Sequence, residues 1–162
     1  LKDNDTIRVY TTHLQSLQLG KFDYDRIRKI RGGDDSLVAN SKTILGKIKK
    51  GFSRRSIQAD VVKEVMGVSP HPYLLCADLN DVPNSYAYFT VRGKLQDAFL
   101  KKGFGMGRTF SGLAPTLRID YIFADQHFRI QQFNRVLKNL SDHYMLVADV
   151  QLKAPSPPAG GE

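Results

Sequence analysis

Residues 72–85 read Pro72-Tyr-Leu-Leu-Cys-Ala-Asp-Leu-Asn-Asp-Val-Pro-Asn-Ser85, and this stretch decides the fold. After the proline, Tyr73, Leu74, Leu75 and Cys76 form a short apolar run of strand length. Asp81, Pro83, Asn84 and Ser85 then crowd together as turn chemistry. Asp78 and Asn80 are thus carried out of the core at the end of a buried strand. Clefts in α/β proteins are commonly built from such strand ends. A period of two points Asp78 and Asn80 to the same side, where a carboxylate and an amide can hold one oxyanion between them. A strand followed by an Asx-turn explains the same residues, so the pair needs support from the rest of the chain.

Toward the N-terminus, residues 36–66 follow a helical pattern. Leu37, Ile44, Leu45, Ile48 and Phe52 share one face, and Ile57, Val61, Val62 and Val65 form another stripe. Gly51 and Ser53 predict a break between two helices, with Ser53 capping the second. Gly67 ends it, and Pro70 and Pro72 prevent its continuation. Residues 17–35 read as an exposed connection broken by Gly32-Gly33. Thr6-Ile-Arg-Val-Tyr-Thr-Thr12 alternates and is β-branched, which predicts a strand delivering His13 to a loop.

Toward the C-terminus, Ser85 to Val91 and Leu95 to Leu100 read as short helices, the second stopped by Gly103. Gly103-Phe-Gly-Met-Gly107 lacks the glycine spacing and flanking elements of a nucleotide loop. Leu117 to Ala124 is a strand carrying Asp120, a carboxylate among apolar neighbours that requires a partner; Arg118 and Arg129 are candidates. Phe128 to Val136 and Met145 to Leu152 are the last strands, antiparallel neighbours because their connections are short. The expected organisation is one α/β layered domain over 1–153 and a Pro/Gly-rich tail over 154–162.

The chain has 162 residues, 41% of them hydrophobic, enough for one globular core. The single cysteine, Cys76, excludes an internal disulfide framework and a Cys-rich zinc site, and is expected to fill the core. No apolar run reaches bilayer length. The chain begins with Leu1 and reads as the interior of a longer gene product. The net charge of +8 is concentrated between Arg26 and Arg55, where ten Lys/Arg face two acids; fourteen charges of each sign balance elsewhere. A focused basic segment suits a polyanion or an anionic membrane surface, although a solvated helix face reads the same way. No aromatic array favours single strands.

Four polar clusters stand at predicted strand ends: His13-Leu-Gln-Ser16, Asp78-Leu-Asn-Asp-Val-Pro-Asn-Ser85, Asp120-Tyr-Ile-Phe123 and Ser141-Asp-His143. Each is weak alone. In this order, over nearly the whole chain, they resemble the endonuclease/exonuclease/phosphatase family, which includes pancreatic-type deoxyribonuclease, abasic-site endonucleases, sphingomyelinases and inositol polyphosphate phosphatases. The unrelated calcineurin-like phosphoesterases need Asp-x-His and Gly-Asn-His-Asp/Glu stretches, which do not occur here.

The resemblance implies a deoxyribonuclease-like four-layer sandwich of two facing sheets with outer helices. It also implies that the N-terminal part is missing, since the family's early asparagine and metal-binding glutamate do not precede His13. Some bacterial relatives carry membrane helices upstream, so an upstream anchor is a further expectation. By the same resemblance the activity is Mg²⁺- or Mn²⁺-dependent hydrolysis of phosphodiesters or phosphomonoesters. His143 would take the water proton while Asp120 holds its other ring nitrogen. Asp78 would orient the water, Asn80 would donate to the phosphoryl group, and His13 would bind a non-bridging oxygen or assist the leaving group. Asp142 would ligate the metal. The implied partners are a phosphate-ester substrate, either nucleic acid or anionic phospholipid. Two further expectations follow from an incomplete sandwich: a fragment that folds or associates without turnover, and self-association through exposed apolar sheet surface.

Overall fold

The computed structural model describes residues 6–17, 22, 23, 25, 41–111, 117–138 and 141–154. The expected connection over 18–35, apart from residues 22, 23 and 25, the helix start near Ser36 and the tail over 155–162 lie outside them. The elements are β1 (Arg8–His13), α1 (Ser41–Gly67), β2 (Tyr73–Asp78), α2 (Tyr86–Arg92), β3 (Gln96–Asp97), α3 (Ala98–Lys102), β4 (Asp120–Ala124), β5 (Phe128–Val136) and β6 (Met145–Leu152). One sheet has the order β1-β2-β4-β3, with β1 parallel to β2 and β4 antiparallel to both β2 and β3. The antiparallel β5–β6 pair forms the other.

The period of two assigns the faces of the larger sheet. Leu75, Ala77, Tyr121 and Phe123 meet Ala59 and Met66 of α1 and Ala87, Tyr88 and Val91 of α2 in one apolar cluster. Leu74, Ile122 and Ala124 face the opposite way and join Phe128, Ile130 and Phe133 of β5 in a second cluster. The chain is a mixed α/β fold. Among the described residues this amounts to helices, a four-stranded sheet and a hairpin, short of the expected four layers. No helix among them is long and apolar enough to cross a membrane.

The predicted break at Gly51 and Ser53 does not occur, because α1 runs 27 residues without interruption. Ile44, Ile48, Gly51, Arg55, Ala59, Val62 and Met66 recur every three or four residues, so one stripe keeps its phase throughout. Gly51 is a contact rather than a breaker. A Cβ there would lie 2.9 Å from Leu17 Cδ2 and 3.0 Å from Arg55 Nη1. Leu45, Phe52, Ile57, Val61 and Val65 lie off this stripe and are exposed.

Cys76 is also exposed, contrary to the core position expected for it. It stands on the sheet face where β5 and β6 cover Leu74 but not the strand's far end. The helix expected over Leu95 to Leu100 starts later. Gln96 and Asp97 first pair with β4, and Asp97 then caps α3, its Oδ1 accepting from the N–H groups of Phe99 and Leu100. Ser85 caps α2 in the same way, through the N–H of Tyr88. The Ser85 cap closes the loop that carries Asn80.

Candidate active site

Three strand ends meet in one row. In the pairing register His13 stands beside Asp78, and Asp78 beside Asp120. Period-two alternation then sends all three side chains to one face of the sheet. His13 Nε2 lies 3.4 Å from Asp78 Oδ2, with the imidazole largely exposed and the carboxylate mostly covered.

His143 reaches the row from the loop before β6. It forms an isolated antiparallel bridge with Phe110, and its ring packs edge-on to the Phe110 ring at 5.0 Å. Ser111 N–H donates to the Asp142 carbonyl at 2.8 Å, and Tyr144 N–H to the Thr109 carbonyl at 2.8 Å. These contacts leave His143 Nδ1 3.0 and 3.1 Å from the two carboxylate oxygens of Asp120. The fully buried Thr109 hydroxyl accepts from the N–H groups of Ile119 and Asp120, so the segment that positions His143 also anchors the start of β4.

The partner that Asp120 requires is therefore His143. Arg118 is committed to Asp97 at 2.7 Å, beneath the rings of Phe99 and Tyr121. Burial pushes the Asp120 carboxyl above the usual aspartate range. Hydrogen bonding with Thr109 pulls it down, the neighbouring Asp78 charge pushes it up, and His143 pulls it down again.

Asn80 sits beyond the end of β2, so strand alternation does not orient it. Its φ is +48°, a left-handed conformation that asparagine tolerates better than most residues. The turn is held by its own N–H donating to Asp78 Oδ1 at 2.8 Å and by its Nδ2 donating to the Leu14 carbonyl at 3.0 Å. The second bond ties the loop after β2 to the loop after β1. One amide hydrogen of Asn80 remains for a ligand.

A cleft of ≈ 360 Å³ joins these groups: His13, Asp78, Asn80, Asp142 and His143 all line it. Asp120 stands behind His143, on the adjoining face with Tyr144 and Leu146. Asp78, Asp120 and His143 offer ligand atoms that all lie within 4.8 Å of one another, the spacing of a metal-binding group. Asp142 lines the cleft outside that triplet, its Oδ1 3.3 Å from Ser141 Oγ. Two carboxylates and their neighbours supply the hard oxygen donors that suit Mg²⁺ or Mn²⁺, whereas an imidazole nitrogen is a poorer match for Mg²⁺. His127 faces solvent, with Nδ1 3.1 Å from Asp125 Oδ1.

The sequence reading did not place Arg55, Phe52 or Phe110 in the cleft, which they line. Arg55 had a visible signal, an arginine in the middle of the apolar stripe of α1, where a buried carboxylate must answer it. Phe52 and Phe110 had none, since they meet only through the folded chain.

A family model described as the endonuclease/exonuclease/phosphatase family matches residues 51–143, more than half of the chain. No curated protein matches the sequence. Among solved structures, a functionally unknown conserved protein from Enterococcus faecalis aligns at 24% identity with a TM-score of 0.54, covering 63% of this chain and 46% of its own. The mannosyl-6-phosphatase of Bacteroides thetaiotaomicron aligns at 21% identity and TM-score 0.50, over 62% and 46% of the two chains. An endonuclease/exonuclease/phosphatase from Beutenbergia cavernae aligns at 25% identity and TM-score 0.50, over 63% and 32%. The chain thus spans less than half the length of these solved structures. Members of the family are phosphoester hydrolases that typically use divalent metals. With its motifs collected at one cleft and its residues 51–143 matching the family model, this chain belongs to the endonuclease/exonuclease/phosphatase family.

Proposed function

We propose that the cleft hydrolyses phosphate esters, phosphodiesters above all, with His143 and Asp120 as its proton-handling pair. The observation that carries this reading is the contact of His143 Nδ1 with both Asp120 oxygens. It holds the imidazole by one nitrogen and leaves Nε2 to take the proton of an attacking water. Asp78 orients that water, and the remaining amide hydrogen of Asn80 is donated to a phosphoryl oxygen. His13, the most exposed of the set, meets a non-bridging or leaving oxygen. Asp142 would hold Mg²⁺ or Mn²⁺ in the cleft, and the Asp78, Asp120 and His143 group offers a separate set of ligand atoms. When bound, the cation supplies positive charge for the phosphoryl oxygens. Residues 1–153 form one portion of the family's layered domain in this reading, with 154–162 as a tail.

The test is hydrolysis of bis-p-nitrophenyl phosphate by the purified chain at increasing Mg²⁺. His143→Gln is expected to lower the rate by about 10²–10⁴-fold, the range for a positioned general base. A rate insensitive to both Mg²⁺ and His143 would overturn the assignment.

A second reading is favoured by the chain spanning less than half of its matched structures. In it the domain folds and associates without turnover. Val9 on the edge strand β1, and Met145 and Val147 on β6, are exposed and could meet a second copy. Folded protein that is dimeric by light scattering and inert at every Mg²⁺ concentration would select it; a monomer with Mg²⁺-dependent turnover would dismiss it.

A further inference from the structure

Thr109 touches both halves of the His143–Asp120 pair. Its carbonyl accepts from the N–H of Tyr144, the residue after His143, at 2.8 Å, and its own N–H donates to the Leu117 carbonyl at 2.9 Å. Its hydroxyl is fully buried and accepts from the N–H groups of Ile119 at 2.9 Å and Asp120 at 3.1 Å. A threonine hydroxyl offers a pair of acceptor sites and a single hydrogen. Both acceptor sites are taken, so any further bond uses the hydrogen. The side chain with which Thr109 bonds in this way is the Asp120 carboxylate.

That carboxylate needs a lock. The torsion at the end of an aspartate is broad and roughly two-fold. Asp120 presents its two oxygens to His143 Nδ1 at nearly equal distances, 3.1 and 3.0 Å, so the imidazole alone does not choose an orientation for it. A carboxylate that turned away would release Nδ1–H. The ring could then carry its proton on Nε2, the nitrogen that must be bare to take one from water.

We propose that Thr109 is a positioning residue for the hydrolysis: by donating to Asp120, its hydroxyl holds the carboxylate still and so keeps His143 in the Nδ1–H tautomer. The inference rests on the phosphoesterase reading of the cleft and names the residue on which its proton-handling pair depends. Phe110 cannot substitute, since its ring meets His143 edge-on and brings no polar group to Asp120.

The experiment compares Thr109→Ala with Thr109→Ser. Both lose the methyl, so they differ only in the hydroxyl. Long-range proton–nitrogen NMR spectra of the full chain at alkaline pH report the tautomer of each neutral imidazole. His143→Gln identifies the His143 signals among those of the four histidines. Wild type and Thr109→Ser are expected as Nδ1–H, and Thr109→Ala as a mixture with Nε2–H. In hydrolysis of bis-p-nitrophenyl phosphate, Thr109→Ala should lower kcat by about 10–10²-fold with KM unchanged, and Thr109→Ser should keep most of the rate. A hydroxyl with only a structural role would lower the melting temperature of Thr109→Ala and leave the tautomer and kcat of the folded protein alone. That result would overturn the proposal, as would a serine variant that behaves like alanine. The wild type gives a reading that needs no variant to fold. A buried hydroxyl donating to a carboxylate exchanges slowly with water, so the Thr109 hydroxyl proton should be visible. Exchange too fast to observe it would count against the proposal in the same way.

The two NMR and kinetic arms separate the two readings. A tautomer change in a chain without turnover removes the hydrolase and keeps the positioning role. Turnover that needs His143 but is indifferent to Thr109→Ala does the reverse.

Discussion

Arg55 and Asp81 form a buried ion pair at the back of the cleft, Nε to Oδ2 at 2.9 Å, with the side chains 1% and 5% exposed. The pair joins α1 to the loop after β2. Arg55 Nη1 also donates to the Gln15 carbonyl at 3.2 Å, and Tyr121 Oη donates to the Asp81 carbonyl at 2.8 Å. Three segments that carry site residues are therefore gathered on one guanidinium. Arg55→Met would remove the guanidinium from Asp81 Oδ2 and leave the buried carboxylate with the Val82 N–H on Oδ1. A loss of about 3–5 kcal/mol in urea unfolding is expected, the range for breaking one side of a buried pair. Arg55→Met/Asp81→Asn should recover part of it, since no stranded charge then remains.

The two glycines inside α1 should respond oppositely to alanine. Nothing lies within 4 Å of a Cβ built on Gly46, so Gly46→Ala is expected to stabilise by about 1 kcal/mol through helix propensity. At Gly51 the same methyl meets Leu17 and an arginine that its ion pair prevents from yielding. Gly51→Ala should show no such gain and should lower stability. Thermal or urea unfolding of the two variants side by side checks this; equal gains would mean that the helix does not press on residues 14–17.

Asn80 isolates a backbone effect. Both Asn80→Gly and Asn80→Ala lose the hydrogen bond to the Leu14 carbonyl. Only alanine also resists a φ of +48°. The alanine variant is expected to be less stable than the glycine variant by about 1 kcal/mol, the cost of the left-handed region for a residue with a Cβ. Denaturant midpoints measure the difference.

Asp120 makes stability depend on pH with a definite sign. Its folded carboxyl holds a proton to higher pH than the ordinary value of 3.8, with burial as the main cause. Unfolding then releases that proton, so this group's contribution to stability is largest in acid and falls as pH rises upward from 3.8. Asp120→Asn lacks the titration. The stability of the variant relative to wild type should therefore rise with pH through the same interval and then level off, in urea unfolding at matched pH. A difference that falls over that range would show that the pairing with His143 outweighs desolvation.

Much of the site was legible because its residues sit at the ends of strands with clear alternation. His13, Asp78 and Asp120 are the last or first residues of β1, β2 and β4, and the demand of a half-buried carboxylate for a partner was a sound physical signal. What failed depended on contacts between distant segments. Gly51 looked like a breaker because propensity is local, while the close approach of Leu17 is not. Cys76 looked buried because its run was apolar, but burial of the outer sheet face depends on where β5 and β6 end. Leu95 to Leu100 looked like one helix because nothing local reports that Gln96 and Asp97 pair with β4. Arg55 counts toward the basic segment between Arg26 and Arg55 in the sequence, although its position on the stripe places it inside.

The row His13, Asp78, Asp120 is fixed by the pairing of β1 with β2 and of β2 with β4. Sliding β1 by one residue would swing its histidine to the helix-covered side and bring Thr12 or Leu14 into its place. The geometry of the candidate site thus depends on correct strand alignment. A molecule that zips β1 one step out of phase would lose the row of His13, Asp78 and Asp120 and turn the core-facing side of the strand outward.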